Sequence, residues 1–406
     1  MQKIKEVLQF IKKEELYPDM PVVNSPHKPE VVVNGKKVII FASNNYLGMT
    51  TDKRVIEAAK KGAEKWGIGN GSARLLTGNL DIHLKLEKEI ASFKNKEAAL
   101  TFVSGYMVNE GCIPAIAKVI DISVLTNVLK ILNFKKRKTD TVVFSDEYNH
   151  ASAIVGIRLS GARKEIYKHN DMEDLEKRLK KYPKKTRKMI VTDGVFSMDG
   201  DIVKLPELID LAKKYDALVY LDDAHAAGIL GKNGRGTEEY FGIEGSVDFV
   251  MGTFTKAFGG VGGYITGSQE LIDYLKIAAR SFIFTAPIAP PVVCGLIESI
   301  KIVKEEENRR KKLLENSKYF REKLHELGFS TMASETQIIP VLIGEEKRAV
   351  KLSRYLLDRG IFVPVARWPA VPKGMARLRF ALMSSHTTQQ IDFLLGIMKD
   401  IKNKTI

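Results

Sequence analysis

Apolar positions along this chain keep two periods, and the two alternate. Short apolar runs recur at 141–145, 189–192, 217–221 and 248–252. Between them, apolar residues fall three and four apart, at 171–181 and 204–215. Upstream the same spacing covers 52–66, with Val55, Ala58, Ala59 and Trp66, and 81–93, with Leu84, Leu86, Ile90 and Phe93. Continuous short runs suit strands buried on both faces, and the longer period suits helices with one apolar stripe. Their alternation predicts a mainly parallel sheet with helices on both faces. The first 30 or so residues predict one amphipathic helix carrying Ile4, Leu8 and Ile11, then an extended Pro-rich arm. EVVVNGKKVIIF, 30–41, predicts a hairpin turning at Asn34-Gly35. Past Pro291 the pattern changes to a long charged helix reaching about 327, a strand at 338–343, a helix at 348–359, a strand near 377–382 and a last helix from about 387. We therefore expect an arm and hairpin at 1–50, a large domain at 51–285 and a smaller α+β domain at 286–406.

Composition narrows the classes. The 406 residues exceed one compact core of ordinary size. Two distant cysteines, Cys112 and Cys294, argue against a disulfide scaffold and fit a reducing compartment, so a cytoplasmic location is expected. Charges interrupt every apolar stretch near Met1, which is unlike a signal peptide. A net charge of +15 is compatible with nucleic acid, but no helix-turn-helix, RNP or zinc-finger pattern accompanies it. The lysines spread along helices instead, and a polyanionic small molecule fits the same charge. The segment 119–138, VIDISVLTNVLKILNFKKRK, is apolar and then basic. It reads as a core helix with a solvated end, or as an insertion contacting a membrane surface or lipid-like chain.

The chemistry gathers after the strands. GTFTKAFGG, 252–260, follows an apolar run and places Lys256 among small residues and glycines. The strand 217–221 runs into Asp222-Asp223-Ala224-His225. Ligands of doubly wound sheets sit at the carboxyl ends of strands, so Asp222, His225 and Lys256 should share one crevice. An amine and a carboxylate facing one site fit pyridoxal phosphate (PLP), which needs an imine partner and a group that keeps its ring nitrogen protonated. Partial burial would free the amine of its proton. Ser104-Gly105-Tyr106, after the apolar run 98–103 and before a helix, suits a phosphate. His150, after the strand 141–145, could stack on a ring. A metal site would need a further paired ligand motif, and none is present, so no metal is expected.

The pattern resembles the α-oxoamine synthases, PLP-dependent enzymes of fold type I. The resemblance runs from Ser43-Asn44-Asn45-Tyr46-Leu47-Gly48 through Asn149-His150-Ala151-Ser152, Asp193–Gly200 (DGVFSMDG), Asp222-Asp223-Ala224-His225 and Gly252–Lys256 to Ala376-Arg377-Leu378-Arg379-Phe380. It implies a large domain with a mainly parallel seven-stranded sheet and a small C-terminal domain. It implies Lys256 as the imine-forming lysine, Asp222 at the ring nitrogen, His225 at the ring hydroxyl and His150 on the ring face. Gly105, Tyr106 and Thr253 would bind phosphate, with Thr285 reaching in from a partner subunit of a homodimer. Ser197 would sit by the cofactor. Asn44 and Arg377 would hold the substrate carboxylate, for which a guanidinium offers two parallel hydrogen bonds. The reaction implied joins an amino acid to an acyl-CoA with loss of coenzyme A and CO2, leaving an α-amino ketone.

Within that group the signals divide. The stretches 15–52 and 78–83 look most like serine palmitoyltransferases, and 372–377 more like glycine C-acetyltransferase. The stretch 366–372, ARWPAVP, departs from the Arg-Pro-Pro-Thr-Val-Pro of 8-amino-7-oxononanoate synthases, which counts against pimeloyl-CoA as donor. The insertion at 119–138 is a second departure, expected at the acyl entrance or the dimer surface. An aminotransferase of the same fold would share Lys256 and Asp222 but release no thiol. A lipid-surface or nucleic-acid binding protein would explain the charge and none of the site.

Overall fold

The computed structural model describes residues 1–13, 17, 20–119 and 141–403. The expected insertion lies, from residue 120 on, outside the described residues. The sheet at the centre has seven strands in the order β3-β9-β8-β7-β6-β4-β5. These are β3 (Ala98–Phe102), β4 (Val142–Asp146), β5 (Arg163–Tyr167), β6 (Lys188–Asp193), β7 (Ala217–Asp222), β8 (Phe249–Thr253) and β9 (Gly263–Gly267). Strand β9 runs antiparallel to both its neighbours, and the ladder from β8 to β5 is parallel.

Alternate residues of the inner strands enter opposite cores, as the pleat requires. Val143, Met189, Val191, Tyr220 and Met251 pack on one side with Val108, Cys112 and Ile157. Val142, Phe144, Ile190, Val219, Leu221 and Val250 pack on the other with Leu175, Leu208 and Ile209. Each such side chain stabilises the fold by roughly 1.5–3 kcal/mol. The helices supplying these partners include α4 (Gly105–Ala117), α5 (Ala151–Ser160), α6 (Met172–Leu179) and α7 (Leu205–Tyr215), which follow α1 (Gln2–Lys13), α2 (Lys53–Trp66) and α3 (Asp81–Phe93). Helix α1 is amphipathic as expected, yet none of its residues is buried.

The hairpin forms at the expected place. Strands β1 (Glu30–Val33) and β2 (Lys36–Ile40) turn on Asn34 and Gly35, both at positive φ, 49° and 79°. Its sheet is completed from far along the chain, because β11 (Ile361–Phe362) pairs with β2 in parallel. A second small sheet, in the order β10-β13-β12, joins β10 (Ile338–Gly344), β12 (Val365–Ala366) and β13 (Ala376–Ala381). Four strands, β5, β9 and the two-residue β11 and β12, were not foreseen. Strand β5 reads Arg-Lys-Glu-Ile-Tyr, with no apolar run to mark it. The expected long charged helix is two, Pro290–Glu305 and Glu307–Glu326, broken at Glu306. There φ is −105° and ψ 66°. The Glu306 carboxylate pairs with Arg54 at 2.6 Å and accepts from Arg309 Nε at 2.7 Å, bonds that tie the break to the start of α2.

One cluster ties together the segments before His150 and around Ser197. The imidazole of His169 lies between Asp146, at the end of β4, and Asp201. Its Nδ1 is 3.1 Å from Asp146 Oδ1 and its Nε2 2.9 Å from Asp201 Oδ2. It stacks on Tyr148 and meets the edge of Phe196. Burial opposes the charged ring, but the two carboxylates prevail and raise its pKa to about 10. So His169 is a cation bridging the segment before His150 to the segment around Ser197. A folded pKa above the ordinary 6.5 means that this contribution is full below pH 6.5 and fades as pH rises to about 10. Substituting His169→Gln should therefore lower stability by about 1.5–3 kcal/mol near pH 6, the worth of a hydrogen bond to a charged group. Urea midpoints measured from pH 6 to pH 10 should converge for the two proteins at the alkaline end. A gap that stays constant with pH would mean that the ring is held by packing alone.

Candidate active site

The parallel register sets the site. Asp193 ends β6 and Asp222 ends β7, and the two are direct partners in the ladder. Strand β8 ends at Thr253, three residues before Lys256. Two carboxylates and one amine thus arrive at one edge of the sheet. Asp222 Oδ2 accepts from Asn109 Nδ2 at 2.8 Å, and its Oδ1 accepts from the amide of Ala224 at 3.1 Å. Burial, then the neighbouring Asp222 charge, hold Asp193 well above the usual carboxylate range. The amine of Lys256 has no hydrogen-bond partner among the described residues. Its pKa is lowered to about 8, because burial outweighs the attraction of Asp222 and Asp193. Such an amine is neutral in part at physiological pH and can act as a nucleophile or base.

Two imidazoles flank it. His150 caps α5, and its Nδ1 lies 2.7 Å from Ser152 Oγ. Burial lowers its pKa. His225 is buried, and burial, followed by the Lys256 charge, pushes its pKa well below 6.5, so it is neutral. Its Nδ1 lies 2.7 Å from the Tyr46 hydroxyl, which also donates to Asn44 Oδ1 at 3.1 Å. Asn44 is thereby joined to the site through Tyr46. Ser197 offers its backbone carbonyl, which accepts from Arg379 Nε at 2.6 Å.

The two arginines of β13 divide. Arg377 is 1% exposed, bonds Asp199 Oδ1 at 2.5 Å and donates its Nε to the carbonyl of Met375. Arg379, two residues on along the same face of the strand, is the guanidinium whose charge reaches Lys256, His225 and Tyr46. The structure therefore ties Arg377, the residue expected to hold a substrate carboxylate, to Asp199 and puts Arg379 towards Lys256.

The first turn of α4 lies beside Thr253. A Cβ on Gly105 would stand 3.1 Å from Thr253 Cβ, so only glycine permits this approach without displacement. Ser104 caps the helix through its Oγ, which accepts from Met107 N. That leaves the amides of Gly105 and Tyr106 without a protein partner among the described residues, pointing out of a helix start as an anion requires. Tyr106 is itself largely exposed. Thr253 Oγ1 donates to the carbonyl of Gly262 at 2.8 Å. Thr285 follows the helical turn Arg280–Ile283 and hydrogen-bonds to none of these groups among the described residues. The donor set fits pyridoxal phosphate: a free amine for its aldehyde, a carboxylate for its ring nitrogen and open amides for its phosphate.

Comparison with known proteins agrees. The aminotransferase class I and II family matches residues 36–397. The chain belongs to that family. It is 46% identical over 399 residues to the 8-amino-7-oxononanoate synthase of Thermoanaerobacter pseudethanolicus, covering 98% of this chain and 96% of the relative. It is 45% identical over 394 residues to that of Lysinibacillus sphaericus, covering 97% and 96%. Among solved structures it superposes on a PLP-bound serine palmitoyltransferase from S. paucimobilis with a TM-score of 0.90 and 33% identity, covering 99% of this chain and 98% of the other. An 8-amino-7-oxononanoate synthase from Francisella tularensis gives 0.74 at 28% identity, covering 91% and 99%. The protein is thus a fold-type-I, PLP-dependent acyltransferase of the α-oxoamine synthase group, as its motifs imply.

Four residues at the site escape a reading of motifs. Tyr46 and Asp193 stand inside quoted motifs but without a role there. Arg379 has the same spacing signal as Arg377, because alternation puts both on one face. Asn109 sits in an apolar helix, three residues past Tyr106 and outside every quoted motif. The low pKa of Lys256 has a direct consequence. Apoenzyme mixed with PLP should gain visible absorbance at a rate that rises with pH and levels off above about pH 8. A rate still climbing past pH 10 in stopped-flow mixing would show a lysine no different from one in water, and Lys256→Ala should develop no colour at all.

Proposed function

We propose that the chain condenses L-alanine with pimeloyl-CoA, losing coenzyme A and CO2, to give 8-amino-7-oxononanoate. The observation that carries this choice is the name shared by relatives that match nearly its whole length at 42–46% identity. That name describes a chain ending in methyl, with the amine next to the ketone. Alanine stripped of its carboxylate leaves those last two carbons, and a dicarboxylic acyl group supplies the rest. The departure at 366–372 makes the acyl donor the point to test. A second reading, serine with palmitoyl-CoA, is favoured by the closeness of the fold to serine palmitoyltransferase.

Bound at this site, pyridoxal phosphate supplies an electrophilic aldehyde for the amine and a conjugated ring that takes up electrons released at the α-carbon. The residues do the rest. Lys256 would hold the cofactor and then, displaced by substrate, carry the α-proton on its Nζ. Asp222 would keep the ring nitrogen protonated. His225, neutral, would hydrogen-bond the ring hydroxyl, and His150 would lie against the ring face. The amides of Gly105 and Tyr106, with Thr253, would hold the phosphate. Arg379 rather than Arg377 would hold the substrate carboxylate, with Asn44 beside Tyr46 completing that end. Arg379 supports this reading because its charge already faces Lys256, whereas Arg377 is committed to Asp199.

The division into 1–50, 51–285 and 286–406 belongs to the same proposal, with the cofactor side in the second part and Arg379 in the third. So does a homodimer in which Thr285 serves the partner's site. The adjoining Phe284 is 75% exposed, as a residue awaiting a second copy would be. The strongly basic balance would assist capture of a polyanionic acyl-CoA.

Two measurements test this. Free thiol followed with glycine, L-alanine or L-serine against acetyl-, pimeloyl- or palmitoyl-CoA should be released fastest with alanine and pimeloyl-CoA. Fastest release with serine and palmitoyl-CoA would select the second reading, and amino-acid turnover without thiol would indicate an aminotransferase. Arg379→Lys should raise the KM for the amino acid by about tenfold to a hundredfold, the worth of a charged hydrogen bond. An unchanged KM would return the role to Arg377.

A further inference from the structure

We infer that Asn109 is a positioning residue that couples the carboxylate of Asp222 to the imidazole of His150. One buried amide then fixes both the negative charge meant for the ring nitrogen and the tautomer of the ring beside it. This rests on the placement of the ring nitrogen at Asp222 proposed above.

The hydrogen-bond directions follow from the groups themselves. Asn109 is 0% exposed in α4. One side of its amide lies 2.8 Å from Asp222 Oδ2 and 2.9 Å from Ser152 Oγ. The other lies 2.8 Å from the Tyr220 hydroxyl. An ionised carboxylate only accepts, so the amide nitrogen must face Asp222. Both of its hydrogens are then used, on Asp222 and Ser152. The amide oxygen must receive the Tyr220 hydroxyl. Burial pushes the Tyr220 pKa well above 10, so that hydroxyl keeps its proton. Ser152 Oγ accepts from Asn109, which leaves its own hydrogen for His150 Nδ1 at 2.7 Å. The backbone amide of Ser152 points at the same nitrogen from 3.3 Å. Nδ1 is therefore an acceptor, and the hydrogen of the neutral imidazole sits on Nε2.

The arrangement is held rigidly. A Cβ on Gly156 would stand 2.4 Å from the backbone oxygen of Asn109, so helices α4 and α5 cross at a distance only glycine permits. That crossing sets Asn109 against Ser152. The other ionisable groups that face Asp222 are Lys256 from the turn after β8, Asp193 from β6, His150 from the start of α5 and Tyr264 from β9. Asn109 is the only side chain among the described residues that hydrogen-bonds both Asp222 and the partner of His150.

The test is a spectrophotometric titration of the cofactor's visible band in holoenzyme. Without Asn109 the Asp222 carboxylate would draw the ring proton more strongly. The ring would then withdraw fewer electrons, and the nitrogen contributed by Lys256 would hold its proton to higher pH. Asn109→Leu should raise the pH midpoint of the band by about one unit, the scale of one charged hydrogen bond. Tyr220→Phe, which removes a single hydroxyl, should raise it by a smaller amount in the same sense, and it decides alone if Asn109→Leu does not fold. In 15N spectra Ser152→Ala should lose the preference of His150 for a proton on Nε2. A residue serving structure only would weaken cofactor retention and leave the midpoint where it was. Unmoved midpoints in both variants, with Asp222→Asn shifting it, would overturn the coupling and leave the ring-nitrogen placement standing. An unmoved midpoint in Asp222→Asn as well would overturn both.

Discussion

Two carboxylates meeting at the ends of paired strands is the constraint on which the site depends. Asp193 and Asp222 are neighbours in a parallel ladder. Side by side in a buried edge, two such groups repel unless their charge is reduced or answered. The structure does both. Asp193 is pushed towards its neutral form, while Asp222 receives donors on each oxygen. Lys256 supplies the opposing charge from the turn after the next strand, and its burial there, against the pull of both carboxylates, loosens its hold on a proton. The same cluster thus offers a carboxylate that would suit a cationic ring nitrogen and an amine that is partly neutral at physiological pH. Neither property belongs to a residue alone.

The next residue shows how the chain separates chemistry from scaffold. Asp222 faces the site, and Asp223 faces away, into a closed network. Lys94 pairs with its Oδ2 at 2.6 Å, and Thr237 donates its hydroxyl to Oδ1 at 2.6 Å. A Cβ on Gly236 would stand 1.8 Å from Asp223 Oδ2, and φ there is 108°, so glycine is required on both counts. Lys94 also reaches the carbonyl of Arg235. This pair is almost wholly buried, and loss of one partner of such a pair costs about 3–5 kcal/mol. It anchors the segment from Asp223 to Thr237, which includes His225. The placement of His225 therefore rests in part on a lysine from the turn after α3, far from the site in sequence.

How much of this could be read from the sequence depends on range. Strand runs buried on both faces mark themselves, so β4, β6, β7 and β8 were legible, and so were the Asn34-Gly35 turn and the motifs that carry Lys256, Asp222, His150 and His225. Residues whose role comes from partners far along the chain were not. Tyr46 touches His225 across 179 positions and Asn109 touches Asp222 across 113. Nothing local distinguishes Asn109 from a helix residue turned to water. The Arg-x-Arg spacing of β13 gives two arginines on one face, and only packing decides that Asp199 takes the first. The break at Glu306 was hidden because a charged helix interior and a pair of salt bridges to Arg54 and Arg309 look alike in sequence. Strand β5 was hidden because its residues are mostly polar.

The site also joins two sheets with different duties. Lys256, Asp222 and the first turn of α4 belong to the seven-stranded sheet and its helices. Arg379 belongs to β13, in the small sheet. The seam between the sheets is narrow and specific. Thr336 Oγ1 donates to the carbonyl of Gly200, Gln337 Nε2 donates to that of His225 and Arg379 Nε to that of Ser197. Gly200 has φ of 71°, and a Cβ there would stand 2.0 Å from the carbonyl oxygen of Ile338. Each of these hydrogen bonds runs from a side chain of one unit to the backbone of the other, and Arg379 takes part in both the seam and the site. Substitution just before β13 can then alter the Arg379 side of the site while the Lys256 side stays in place. One departure from the synthase pattern falls just before β13, at 366–372, the other is the insertion at 119–138, and the groups among the described residues whose charge reaches Lys256 lie in neither.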